Sequence, residues 1–396
     1  MPTPAVPGIQ GLRGTGQFSV DFRPTNYREL FTLLEPNGDA PLQALLAMAA
    51  SESTDDPHFN NFRDHLPARA MVVETAVADA TTATVVLKAS DENAFIIPGS
   101  ILVNATTGEF MHVSAVNLGT RTLTVVRNVG GTTHNIAANA ELFVSGYAAK
   151  EGADTPEPIS FDARVALNYT QIFRQAFSLT GTLKETYLRT GPKADEMRTK
   201  ALKLHMSDIE RAMFFGKKHI INGNTAEPTR FTGGIINSIT GVTDLATATT
   251  PGKMVENEFD RLLIDNVFAW GSKEKLCFCG PTIAGHMQQI GKARWQPQQV
   301  EGSYGIGFVR YRTFAGDLLV HVHPQFRQIP GMTDSAVIID FPYVKYRFMQ
   351  GRDTDLLENR QGNGEDREKH EWLTECGLEL LQDMVHHFIK GWKTAV

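Results

Sequence analysis

The stretch Thr190-Gly-Pro-Lys-Ala-Asp-Glu-Met-Arg-Thr-Lys-Ala-Leu-Lys-Leu-His-Met-Ser-Asp-Ile-Glu-Arg-Ala-Met-Phe-Phe-Gly216 decides how the chain is read. Proline is favoured at a first helical position, and Asp195 and Glu196 complement the positive end of the helix dipole, so a helix is expected from Pro192. Leu202, Met206, Ile209 and Met213 recur at four- and three-residue spacings, and Met197 and Ala201 extend that apolar stripe backward. Lys193, Arg198, Lys200, Lys203, Asp208, Glu210 and Arg211 fall on the remaining, solvent-directed surface. A helix over 192–215 is a rod of about 36 Å. Such a rod serves first as a structural spine.

Working back toward the N-terminus, Ala163 to Thr182 reads as extended chain, with Val165, Leu167, Tyr169, Ile172, Phe173, Phe177 and Leu179 among Thr, Ser and Gln. By position it is expected to pair with Asn61 to Glu74 in a long two-stranded arm. From Arg69 to Lys150 the texture is β: Thr84–Leu87, Ser100–Val103, Phe110–Ser114, Thr122–Val126 and Glu141–Val144 are short β-branched runs. Turn sequences separate them at Pro98-Gly99, Thr107-Gly108, Asn117-Leu-Gly119 and Gly130-Gly131. Five closely spaced strands describe a self-contained antiparallel barrel or sandwich. Ahead of it, Leu30–Leu34 and Leu42–Met48 suggest two short helices around the turn Glu35-Pro-Asn-Gly-Asp39. Residues 1–26, rich in Pro and Gly, cannot offset their own ordering entropy and are expected to order only against another subunit, if at all.

Beyond Gly216 the chain turns to mixed α/β sequence. A hairpin is expected at Asn222-Gly-Asn224, helices over Asn257–Ala269 and Pro281–Ile290, and strands at Lys275–Cys279, Leu318–Val322 and Ala336–Asp340, the last covered on both faces. Thr374 to Ile389 is expected to begin as a strand and finish as a helix. Arg352 to Glu375 is dense in both charge signs and reads either as a solvated surface or as a strip of register-fixing ion pairs between subunits.

At 396 residues with 42% hydrophobic and 21% charged side chains, the chain has the composition of a globular protein with two or three cores. A formal net charge of −6 argues against sequence-specific grip on nucleic acid. No apolar run approaches the roughly 20 residues that cross a bilayer, and the N-terminus has no signal-peptide core, so the chain is expected to be made and kept in a cytoplasm. Cys277, Cys279 and Cys376 are too few to staple the fold and read as reduced, buried thiols.

Few residues suggest chemistry. His321 and His323 flank Val322 and would share a strand face, which leaves open a metal-dependent hydrolase if further ligands converge. His386-His387 reads as one inward and one outward residue. Glycines 302, 305 and 307 resemble a loosened phosphate loop without a strand–turn–helix around them, and Gly291-Lys292 lacks the glycine spacing of a nucleotide-binding loop. No catalytic, cofactor-binding or metal-ligating residue is assigned.

Glu151-Gly-Ala-Asp154, Tyr169-Thr-Gln-Ile-Phe173, Ser178-Leu-Thr-Gly181, Lys193 to Gly216 with its Asp208-Ile-Glu210, Gly108-Glu-Phe-Met-His-Val113, Gly362-Asn-Gly-Glu-Asp366 and Glu375-Cys-Gly-Leu-Glu379 form an ordered set. In order and spacing the set resembles the SU10-like major capsid proteins of tailed bacteriophages, over roughly residues 27–392. The resemblance implies an α+β fold of the Hong Kong 97 type with a small all-β domain inserted in the extended loop. On that template residues 1–60 are an N-terminal arm and 61–182 an extended loop carrying the β domain at about 75–150. Residues 183–221 are a peripheral domain with spine helix 192–215, 222–345 an axial domain, and 346–396 the return to the peripheral domain. The implied function is self-assembly through pentamers and hexamers into an icosahedral shell around double-stranded DNA, with no enzyme activity, no cofactor and no membrane. The implied partners are copies of the chain, with portal, scaffolding and decoration proteins possible, and the implied place is the virion capsid, assembled in the bacterial host cytoplasm. The metal-dependent hydrolase, with His321 and His323 as ligands, and a tail or decoration protein built on the β module stand as alternatives.

Overall fold

The computed structural model describes residues 40–394, apart from 80, 132, 157, 187–192, 249, 292–297 and 301–307. Residues 1–39 of the expected arm, with the helix expected at Leu30–Leu34, the start of the spine helix at Pro192 and the glycines at 302, 305 and 307 lie outside the described residues, as does Lys292. The chain forms two compact units, one of residues 62–166 and one holding the described residues before and after it. It leaves the larger unit along β2 (His58–Arg63) and returns along β9 (Arg164–Tyr169), and these two strands pair with each other.

The smaller unit is a six-stranded antiparallel sheet of β3 (Ala70–Val72), β4 (Thr84–Val86), β5 (Ser100–Asn104), β6 (Phe110–Asn117), β7 (Thr122–Val126) and β8 (Glu141–Tyr147), in the order β3-β8-β5-β6-β7-β4. Val73 bridges Leu87, with Glu74 N donating to Val86 O and Lys88 N to Val72 O, so the last strand closes on the first. The geometry is therefore a barrel. Five of its strands were expected; the sixth, Ala70–Val72, is a three-residue strand too short to show period-two alternation. The expected turns at Gly99 and Gly108 take φ of +97° and +71°, which only glycine adopts without cost. Met71, Val85, Leu102, Met111, Val113, Leu123, Val125 and Leu142 point inward and fill a core of the unit's own.

In the larger unit, α1 (Pro41–Ala49) and β1 (Ser51–Thr54) precede β2. After β9 come β10 (Gln171–Thr180), a single turn α2 (Gly181–Glu185) and the spine helix α3 (Lys193–Phe215), whose 23 residues span about 34 Å. The hairpin β11 (His219–Ile221) and β12 (Thr229–Phe231), the turn α4 (Ile235–Ser238) and β13 (Gly241–Asp244) follow, then α5 (Glu256–Leu262), β14 (Glu274–Cys279), α6 (Pro281–Gly291), β15 (Gln298–Val300), β16 (Phe308–Arg312), β17 (Asp317–Val322) and β18 (Ala336–Ile339). The chain ends through β19 (Val344–Met349), β20 (Asp355–Leu357), β21 (Arg367–Leu380) and β22 (His387–Lys390).

Two sheets organise this unit. One runs β1-β19-β21-β10, with β20 also on β21; the other runs β13-β22-β18-β14-β17-β16-β15 and mixes parallel and antiparallel pairs. As expected, β18 is buried at every position. Three expectations fail. Only β9 pairs back on β2, while β10 is antiparallel to β21 over Gln171–Thr180, because Phe173, Phe177 and Leu179 have an apolar face to bury that a solvated arm does not offer. The C-terminal segment ends as strand β22 rather than helix: His387-Phe388-Ile389 inserts between β13 and β18, where side chains are covered on both faces. For the same reason His386 and His387 are both buried, not one in and one out.

The N-terminal half of α3 lays Ala201, with Met197 and Leu202, on Phe177, Leu179 and Trp372 of β10 and β21. Its C-terminal half sends Ile209, Met213 and Phe214 into the main core with Leu42 and Leu46 of α1. Phe214 is fully buried and meets Phe278 and Phe326 edge-on at centroid distances of 5.7 and 5.1 Å.

Candidate assembly surface

The spine helix carries polar side chains on its buried face. Glu210, placed among the solvated charges by sequence, is completely buried. Its carboxylate accepts the backbone N–H groups of Leu42 (2.9 Å) and Gln43 (2.7 Å), orphan donors in the first turn of α1, whose preceding residue Ala40 offers no cap. The same carboxylate lies 2.9 Å from His323 Nε2. His323 Nδ1 accepts the amide of Gln325, so the ring hydrogen sits on Nε2 and is donated to Glu210. Two further contacts complete the latch: His205 Nε2 with Thr374 Oγ1 at 2.7 Å, and Gln325 Nε2 donating to Ser207 Oγ at 3.1 Å. The helix is thereby fixed by directional bonds to α1, to β21 and to the turn after β17. The signal for Glu210 was available in its spacing, four residues after Met206 and four before Phe214.

This geometry removes the footing of the hydrolase. His323 is not the strand partner of His321 but the buried residue that opens the 3-10 turn Pro324–Arg327, stacked on Phe326 with both ring nitrogens in use. His321 stays in β17 beside the rings of Phe278 and Phe308. Among the described residues no three His, Cys, Asp or Glu side chains are placed to share a metal ion. Cys277 and Cys279 are fully buried in a core behind β14, and burial pushes the Cys376 thiol up to about 12.

The charged strip is largely occupied within the chain. Arg352 Nε pairs with Glu375 at 2.6 Å, Arg174 grips both oxygens of Glu371 at 2.6 and 2.7 Å, and Lys184 reaches Glu368 at 2.6 Å. In the barrel, Glu109 of the Gly108–Val113 motif is the buried partner of Arg127 at 2.7 Å. Burial alone would raise the Glu109 carboxyl, but the Arg127 hydrogen bond and the His134 amide hold it below its ordinary value. Arg127 also donates to the carbonyls of Asp79 and His134, so the pair ties the long connection before β8 to the barrel wall.

What remains exposed is apolar in an ordered way. On the barrel Phe110 and Phe143 are exposed on either side of the buried Val103, the in-register partner of both. Phe62, Leu66, Phe161 and Val165 are exposed near the ends of the same unit. In the larger unit the turn between β16 and β17 carries Phe314 wholly in solvent, and the loop before β14 carries exposed Trp270. Large apolar side chains are thus left uncovered on both units.

A two-sheet unit built on a long helix, with a separately cored barrel inserted in its sequence, makes the chain an α+β protein of two units. Residues 14–393 match the SU10 major capsid protein family. A major capsid protein of Pseudomonas phage PaMx41 is 31% identical over 349 residues, covering 84% of this chain and 80% of that one. The chain belongs to the SU10 major capsid protein family. Among solved structures, the capsid of the native GTA particle is similar at 11% identity with a TM-score of 0.43, over 94% of this chain and 95% of that chain. The capsid of Myoviridae phage XM1 is similar at 11% identity with a TM-score of 0.37, over 62% and 80%. The α+β class is the class observed, and family membership carries the Hong Kong 97-type fold that the resemblance implied. The match spans both units, so a tail or decoration protein built on the barrel alone is set aside.

Proposed function

We propose that the chain builds an icosahedral head shell through hexamers and pentamers of itself, around double-stranded DNA, and that it catalyses no reaction. The observation that carries this reading is the family match over residues 14–393. The exposed apolar residues on both units support it. In this reading residues 61–182 are the extended loop with its inserted barrel, 183–221 a peripheral domain with α3 as its spine, 222–345 an axial domain and 346–396 the return to the peripheral domain. Residues 1–60 form the arm, assembly takes place in the bacterial host cytoplasm, and portal, scaffolding and decoration proteins are further partners. Electron microscopy with light scattering on concentrated, gently purified protein tests it. Capsomers or closed particles are expected; a population that stays monomeric at every concentration and in every salt would sink the proposal.

A further inference from the structure

The face of the β10–β21–β20 sheet turned away from the spine helix holds a cavity of about 490 Å³. Its position follows from strand alternation. Phe177 and Leu179 of β10 and Trp372 of β21 point to α3, so Arg174, Lys369, Glu371, Asp355 and their in-register neighbours point to the other side. Across from Glu371 and Lys369, β10 supplies only Ala176 and Ser178, and these short side chains leave the space open.

Arg174, Arg352, Arg360 and Lys369 line the cavity against Asp355 and Glu371. With Glu375 paired to Arg352 just below the lining, four cations face three carboxylates, an excess of one positive charge in a chain whose net charge is −6. The acids and bases are also layered. Glu371 and Glu375 are 6% and 8% exposed, whereas the side chains of Arg174, Arg352 and Arg360 are 60%, 45% and 51% exposed. Buried carboxylates below thus fix guanidinium groups above: Arg174 through Nη2, Arg352 through Nε at 2.6 Å and Arg360 through Nε at 3.7 Å. A guanidinium has five N–H donors, and holding one or two of them on a carboxylate orients the rest.

We infer that this cavity is a phosphate-binding site. A phosphate group brings negative charge and acceptor oxygens in several directions, which matches the positive sign of the lining and the several directions of its donors. A single carboxylate offers its acceptors in one plane only. The inference stands on this sheet face alone and does not require the shell reading. Two sources offer the same chemistry: free inorganic phosphate and the phosphates of a nucleic acid.

Calorimetric titration of the full-length protein, with inorganic phosphate and separately with a short DNA duplex at matched ionic strength, tests it. Saturable binding of phosphate is expected, weakened about tenfold in Arg360→Gln and in Lys369→Gln. Both substitutions lie at the cavity's outer layer and leave the Arg174 and Arg352 pairs intact. Duplex binding that phosphate displaces and that both variants weaken assigns the source to nucleic acid; phosphate binding without it assigns the free ion. No heat beyond that of chloride, undiminished binding in both variants, or binding of an acidic peptide with none of phosphate would overturn the inference.

Discussion

At Glu210 helical position and side-chain chemistry point in opposite directions, and position wins. Charge alone assigns it to solvent, but spacing from Met206 and Phe214 places it on the buried stripe, where three donors from α1 and His323 compensate its burial. Glu210→Ala is expected to cost about 3 kcal/mol or more in chemical denaturation, since each stranded buried donor costs roughly 1–3 kcal/mol. Glu210→Gln keeps one acceptor and should cost less than half as much. This is also where sequence reading stops. Leu202, Met206, Ile209 and Met213 are legible because apolar residues announce their face by period, whereas His205, Ser207 and Glu210 need partners 167 to 169 or 113 to 118 residues away that no local pattern names.

At the scale of elements, α3 ends where two glycines touch. Gly234 N donates to Gly216 O at 2.8 Å, and a Cβ on Gly234 would come within 2.7 Å of Ala212 O and of Gly216 N. Gly234→Ala must push α4 away from the end of the helix, with an expected loss of about 1–3 kcal/mol visible as a lower denaturation midpoint. The barrel strands were legible because β-branched runs alternate with glycine turns over short distances. The partner of β10 was not, because strand pairing over nearly two hundred residues is settled by which faces can be buried together, and the charged sequence of β21 reads as surface. The last strand escaped for a related reason: covered on both faces, it loses the alternation that identifies a strand.

For the molecule as a whole, buried imidazoles make stability depend on acid. Burial, with some repulsion from Lys275, depresses His387 to about 4, and burial also lowers His205 and His286 below the ordinary value. Between about pH 6.5 and pH 4 the unfolded chain binds a proton at His387 that the folded chain refuses, so stability is full above that window and is lost as the pH falls through it. His387 alone accounts for about 3 kcal/mol of this loss. Thermal unfolding midpoints should therefore drop steadily from pH 7 to pH 4, and His387→Gln, which retains a partner for Thr243, should flatten the slope.

The paired strands β2 and β9 carry a consequence for how such chains diversify. Because the barrel has its own core and both of its connections run through adjacent strands, its two attachment points stay side by side whatever lies between them. An exchange of genetic material at these two points would substitute one ornament for another without rerouting the rest of the chain, and a foreign domain whose termini are neighbours could be grafted there for display.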